Sequence, residues 1–223
     1  MKIAGKIAGV DEAGKGPVIG PMCVAGVRIN EDKLHLIKEL GVKDSKKVAP
    51  KKRELLSGRI KEAADNWFVL DVSAHQIDEL RTIMTMNEIM VICHAKVLEN
   101  LQPDHAFLDA ADVNEERFGR NVQKKCQTPA TLRVTARHKA DARYPIVAAA
   151  SIIAKVHRDH AIAALREEFG DFGSGYPADP KTIRFLQKWF SEHQSFPDVV
   201  RHSWKTVDNV IASAKQTTLS AYR

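Results

Sequence analysis

Between Ala142 and Phe169 the sequence reads ARYPIVAAASIIAKVHRDHAIAALREEF, rich in Ala and Ile and without a helix breaker beyond Pro145. Proline suits the first turn of a helix, where its missing N–H has no partner to lose, and glycine suits the residue after the last turn. One long helix is therefore predicted from Pro145 to a stop at Gly170. Upstream, short apolar runs alternate with stretches of helical spacing. Ile7–Val10 reads as a buried strand. Val18–Ile29, interrupted by Gly20, Pro21 and Gly26, reads as a second strand, joined to the first in a hairpin across GKGP. Lys51–Ala64 and Thr85–Asn100 show helical spacing, whereas Phe68–Val72, His105–Leu108 and Leu132–Ala136 read as strands. That alternation predicts a mixed α/β sheet. GDFGSGYPADP, Gly170–Pro180, is dense in turn residues, and the remainder through Trp189 and Trp204 reads as helical.

The 223 residues suit one large domain or a core with a modest appendage. Lys and Arg number 34 against 28 Asp and Glu, a net charge of +6 that favours polyanions as partners. The charge is uneven. Lys43–Arg53 sets six basic residues against Asp44, and Arg133–Arg166 sets seven against Asp141 and Asp159. Two readings stay open for these stretches: solvated helix faces, or seats for a phosphate backbone. Cys23, Cys93 and Cys126 are widely spaced and form no CxxC pair, which speaks against a disulfide framework or a zinc finger. No run reaches the ~20 apolar residues of a membrane span and no signal-peptide core is apparent, so a reduced, soluble, cytoplasmic protein is expected.

GVDEAGKG, Gly9–Gly16, superficially resembles a phosphate-binding loop. Such a loop needs Ser or Thr after its Lys, and this chain has Gly16 there. Asp11 and Glu12 would also stand where phosphate oxygens belong, a repulsion on the order of several kcal/mol. The two acids make better sense as cation ligands, because a carboxylate at the end of an apolar strand is costly unless something positive neutralises it. The bland alternative is a strand end emerging into solvent. Asp109 follows AFL at another strand exit, and Asp141 stands just before the long helix, whose N-terminus favours negative charge. If these strands are neighbours, the acids converge and either shift one another's protonation or recruit a cation. An all-oxygen donor set favours Mg²⁺ or Mn²⁺ over Zn²⁺, while His157 and His160 read as a solvated helix face. Because adjacent residues on a strand face opposite ways, Asp11 is expected to be the inner ligand, with Glu12 acting where the chain bends toward Gly14. Carboxylate-held divalent ions suit in-line phosphodiester hydrolysis.

DEAGKGPVIGP, GVKDSKK, FLDAADV, HKADARYPIVAAASIIAK and GDFGSGYPADP, in this order, resemble ribonuclease HII, the type 2 ribonucleases H, of archaeal type; the likeness covers Ile7 to about Val207. The resemblance implies an RNase H-like fold: a five-stranded mixed sheet flanked by helices, with a C-terminal helical region. Residues 1–180 would form the catalytic domain, 181–212 the helical region and 213–223 a flexible tail. It implies Mg²⁺- or Mn²⁺-dependent hydrolysis of RNA paired with DNA, and cleavage 5′ of single ribonucleotides in duplex DNA leaving 5′-phosphate and 3′-hydroxyl ends, as in primer removal and ribonucleotide excision repair. Its metal-site acids fall on Asp11, Glu12, Asp109 and Asp141, leaving Asp44, Asp104 and Asp112 as structural or surface acids.

The family's Gly-Arg-Gly turn is Gly14-Lys15-Gly16 in this chain, which keeps the charge but loses the planar fork of Arg. Glycines let backbone approach the sugar, whose 2′-OH separates RNA from DNA. Tyr176 matches the family tyrosine that stacks on the sugar at the RNA-to-DNA junction. Lys46, Lys47 and Lys139 match positions near the phosphates, and Ser151 and Lys155, one helical turn apart, could face one strand together. The tail QTTLSAY is similar to sliding-clamp-binding peptides, with Gln216, Leu219 and Tyr222 as anchors, although it carries one aromatic where strong versions carry two. A monomer is expected. Two other functions compete: a non-catalytic nucleic-acid binder, and a metal nuclease of related fold such as a DNA resolvase.

Overall fold

Five strands make one sheet in the computed structural model, which describes residues 5–42, 48–127 and 131–220, with side chains as far as residue 216. They are β1 Lys6–Ala13, β2 Met22–Asn30, β3 Asn66–Val72, β4 His105–Asp109 and β5 Arg133–Arg137, side by side in the order β3-β2-β1-β4-β5. Strand β1 runs antiparallel to β2 and parallel to β4, and β4 runs parallel to β5. The sheet is therefore mixed, as expected. The helices are α1 Leu34–Glu39, α2 Pro50–Ala63, α3 Ala74–Arg81, α4 Met86–Leu101, α5 Glu115–Lys125, α6 Ala140–Arg143, α7 Pro145–Phe169, α8 Pro180–His193 and α9 Lys205–Ser220.

Central strand β1 is covered on both faces, which is why it reads as a near-continuous apolar run. Two glycines allow the helices to close on the sheet. A methyl group on Gly9 would run into the backbone of Ile146 and Val147, so the first turn of α7 lies directly on β1. A methyl group on Gly26 would run into Val97 and Leu101 of α4. Gly9 pairs with Val27, and Val10 with Gly26, so these glycines open opposite faces of the sheet.

The chain divides into two compact units: residues 1–13, 23–71 and 85–158, and residues 14–22, 72–84 and 159–223. The first holds the sheet and a core that includes Ile7, Val27, Ile29, Ile60, Val147 and Ile153. The second has its own core of Val18, Ile19, Ile162, Phe172, Leu186, Val200, Val207 and Val210. This division differs from the expected boundary after residue 180, because the second unit takes segments from three places in the chain. Helix α9 continues to Ser220, through much of the expected tail.

The long helix begins at Pro145 and ends at Phe169, and Gly170 takes a positive φ of 78° that closes it. Helix α4 starts at a capping box of Thr85 and Glu88. The strand limits that differ most from the expectation are the end of β1 and the start of β2. Strand β1 continues to Ala13, so Asp11 and Glu12 stand within it, and Val18–Pro21 lies outside β2, with Ile19 forming an isolated bridge to Val200. The link between β1 and β2 is accordingly a loop, not a tight turn. Among the described residues, no helix is long and apolar enough to cross a membrane.

Candidate metal centre and glycine turn

Alternation along β1 turns Asp11 to the same face as Gly9, where α7 packs, and Glu12 to the opposite face, toward α4. The parallel register sets Gly9 beside Phe107 and Val10 beside Leu108, which carries Asp109 to the level of Asp11 on the neighbouring strand. Asp11 is 5% exposed and accepts hydrogen bonds from the Ser151 hydroxyl and, at 2.7 Å, from the Glu12 N–H. Burial, followed by the charges of Glu12 and Asp109, raises its carboxyl well above the usual range; the two hydrogen bonds act in the other direction. Asp109 accepts the Ala140 N–H at 2.8 Å. Asp141 follows Ala140 in α6, but it is not among the charges that act on Asp11.

Asp11 and Asp109 thus stand side by side, Glu12 acts on Asp11 by charge from the neighbouring position while its side chain turns to the other face, and Asp141 follows the residue that anchors Asp109. Among the described residues, no group of three His, Cys, Asp or Glu side chains already surrounds a common point as metal ligands would. The donor chemistry still fits a hard cation: carboxylates that raise one another's proton affinity are relieved by positive charge. The Cys93 thiol is no competing ligand, since burial pushes it up to about 12.

On the α4 face, His94 is fully buried. Its Nδ1 lies 2.9 Å from the Met90 carbonyl, which can only accept, so Nδ1 carries the proton and Nε2 faces Glu12 Oε2 at 3.9 Å. Asp112 is committed elsewhere. The Arg117 guanidinium grips it at 2.6 and 3.0 Å and holds its carboxyl below the usual range. Asp104 accepts the Lys6 N–H.

Of the expected substrate contacts, Lys46 and Lys47 lie outside the described residues. Lys139 is exposed and takes a left-handed conformation, φ 54°, at the start of α6. Lys155 is half-buried on α7. Ser151 differs from the expectation: it is 3% exposed and its hydroxyl is turned to Asp11, so it holds an acid in place and does not present itself to a strand. Gln216 lies exposed on α9; the Leu219 side chain and Tyr222 are outside the described set.

In the second unit, Gly14 takes φ 87° and Gly16 is exposed; a methyl group on Gly16 would stand 3.7 Å from Tyr176 Cε1. Tyr176 is 43% exposed and follows Gly175, φ 76°, whose carbonyl accepts the N–H groups of Val18 and Ile19 at 2.8 and 3.2 Å. Arg201 is wholly buried and donates to the carbonyls of Gly14 at 2.6 Å, Lys15 at 2.9 Å and Gly20 at 2.9 and 3.1 Å.

The sequence profile of the ribonuclease HII family matches residues 8–207. A ribonuclease HII of Methanosarcina barkeri is 58% identical over 218 residues, spanning 95% of this chain and 97% of its own. The chain belongs to the ribonuclease HII family. It is a ribonuclease H, a hydrolase with activity on RNA–DNA hybrids. The crystal structure of the ribonuclease H2 from Pyrococcus horikoshii superposes with a TM-score of 0.86 at 40% identity, over 92% of this chain and 96% of that one. Ribonuclease HII of Archaeoglobus fulgidus, solved as a PCNA:RNase HII complex, gives 0.82 at 47% identity over the same shares. The RNase H-like fold implied by the motifs is thereby borne out.

Within this ribonuclease HII, sequence reasoning passed over His94 and Arg201. His94 sits in an apolar helical pattern that carries no sign of the acid facing it. Arg201 lies 187 positions from Gly14, beyond any local pattern.

Proposed function

We propose that this ribonuclease HII works with a divalent cation, Mg²⁺ or Mn²⁺, held by Asp11, Glu12, Asp109 and Asp141. Besides hydrolysing RNA paired with DNA, it would cut duplex DNA on the 5′ side of a single embedded ribonucleotide, leaving a 3′-hydroxyl and a 5′-phosphate. The observation that carries this reading is Asp11, buried in the central strand with its carboxyl raised by burial, Glu12 and Asp109. Such a group is expensive without a cation and useful with one. When bound, divalent ions supply an activated water and stabilise the leaving oxygen.

The chain's own groups do the rest. Ser151 and the Ala140 N–H fix Asp11 and Asp109, so the acids are oriented before substrate arrives. The backbone of Gly14, Lys15 and Gly16 reads the ribose, and Tyr176 offers its exposed ring to the sugar. Lys46, Lys47, Lys139 and Lys155 meet phosphates, which position the duplex but carry no sequence information. The work that follows is primer removal and ribonucleotide excision in the cytoplasm, by a monomer. Because the Archaeoglobus fulgidus relative was solved with PCNA, the tail bearing Gln216, Leu219 and Tyr222 is proposed to bind a sliding clamp.

One assay tests the reading. Incubate the protein and Mg²⁺ with a duplex carrying one ribonucleotide, and in parallel with the all-DNA duplex of the same sequence. Cleavage of the first alone, 5′ of the ribonucleotide and abolished by EDTA, is expected. Equal cleavage of both would indicate a DNA nuclease, and binding without cleavage a passive binder; either result rejects the proposal.

A further inference from the structure

Three successive carbonyls of the glycine turn are held by one short segment near the other end of the chain. Arg201 takes those of Gly14 and Lys15, and the Trp204 Nε1–H donates to that of Gly16 at 3.2 Å. The same segment adds the Arg201 N–H to the Val18 carbonyl at 2.8 Å and the guanidinium to Gly20. It is itself anchored, because Asp78 of α3 accepts the N–H groups of His202 at 2.6 Å and Ser203 at 2.9 Å. The Trp204 ring has the Arg201 guanidinium 4.9 Å away and that of Arg81 5.7 Å away.

Peptide geometry gives this arrangement a direction. In a planar trans peptide the C=O and the following N–H point oppositely, and this chain has no cis bond among the described residues. Aiming the Gly14 and Lys15 carbonyls at Arg201 therefore turns the N–H groups of Lys15 and Gly16 to the other side of the turn. The third peptide ends in Pro17, which has no N–H, so the pattern of two outward donors stops there. Two adjacent N–H groups aimed the same way suit one oxygen acceptor.

We propose that Arg201 and Trp204 are positioning residues for ribose discrimination: by holding the Gly14, Lys15 and Gly16 carbonyls they aim the Lys15 and Gly16 N–H groups at the sugar. This rests on the reading of the turn as the ribose sensor. In this role both act through the turn. Lysine at 201 keeps the charge but cannot serve three carbonyls with a fixed fork, and phenylalanine at 204 keeps the ring but lacks the donor to Gly16.

The test measures affinity with Ca²⁺ in place of Mg²⁺, by anisotropy, for two labelled duplexes that differ only in one ribonucleotide. The full chain is compared with Arg201→Lys and Trp204→Phe. Wild type should prefer the ribonucleotide duplex. That preference should fall about tenfold in Arg201→Lys and about threefold in Trp204→Phe, the scale of one or two hydrogen bonds, while affinity for the all-DNA duplex stays within about twofold of wild type. A preference unchanged in both variants overturns the proposal. So does a parallel loss of affinity for both duplexes, which marks a purely structural role. Should Arg201→Lys fail to fold, Trp204→Phe decides by the same criterion. A wild type without preference rejects the turn as ribose sensor, and the positioning role falls with it; that failure is distinct, because it is seen before any variant is measured.

Discussion

Asp11 and Glu12, neighbours in β1, face opposite sides of the sheet: Asp11 meets Ser151 of α7, and Glu12 lies 3.9 Å from His94 of α4. The pair is thus one feature in sequence and two environments in space. Asp11 is almost completely buried, and that burial is the largest reason its carboxyl is raised.

A raised acid favours the folded state while it is protonated. That contribution is fully present below the unfolded value of 3.8 and is lost as pH rises through the folded-state value. At neutral pH, without a divalent ion, that contribution has fallen away, so Asp11 costs stability there relative to an uncharged side chain. Asp11→Asn should melt above wild type at pH 7 in EDTA, and its advantage should shrink toward pH 4. Added Mg²⁺ should raise the melting temperature of wild type more than that of the variant. A variant melting below wild type at pH 7 in EDTA would contradict this.

Asp109→Asn keeps an oxygen for the Ala140 N–H and removes only charge. Turnover of an RNA–DNA hybrid should fall at least about a hundredfold, since the lost cation grip supplies several kcal/mol. Circular dichroism should be unchanged. Retained activity would take Asp109 out of the site.

Gly9→Ala places a methyl group against the backbone of Ile146 and Val147, which cannot swing aside as a side chain would. Loss of about 1–3 kcal/mol is expected from urea unfolding. A neutral result would mean that α7 does not rest on β1.

Asp179 caps α8 and accepts N–H groups from Ser174 at 2.7 Å and Lys181 at 2.9 Å. The bond from Ser174 is the largest of the causes that lower its carboxyl to about 2. A lowered acid contributes stability above the unfolded value of 3.8, and that contribution is lost as pH falls through about 2. Asp179→Ala should therefore melt below wild type at pH 7, with the gap closing toward pH 2. A gap independent of pH would show that charge has no part in the cap.

Deleting residues 216–223 should weaken binding to a sliding clamp at least about tenfold while leaving hybrid cleavage intact. Calorimetry and a cleavage assay on the same preparation check both halves. Unchanged affinity would remove the tail from the interface.

What could be read from the sequence was whatever has a local cause. Pro145 and Gly170 marked the ends of α7 because cap chemistry acts on neighbouring residues. The acids stood out because carboxylates seldom close an apolar run. Helix α5 escaped because only Phe118, Gly119 and Val122 of its eleven residues are buried, too few to outweigh its charged face. The true end of β1 escaped because Asp11 and Glu12 look like a strand exit until β2 is seen to pair with them. Ser151 looked like a helix-surface hydroxyl, and only the closeness of α7 to Gly9 shows where it points.

The Arg201 clasp also sets an order of events at birth. The residues of the glycine turn leave the ribosome well before the guanidinium that shapes them, which is made 187 residues after Gly14. At common rates of synthesis that interval is roughly 10–40 s. A nascent chain can therefore assemble its sheet and acids well before its turn takes a defined shape, and any chain cut short before Arg201 would carry acids without a shaped turn.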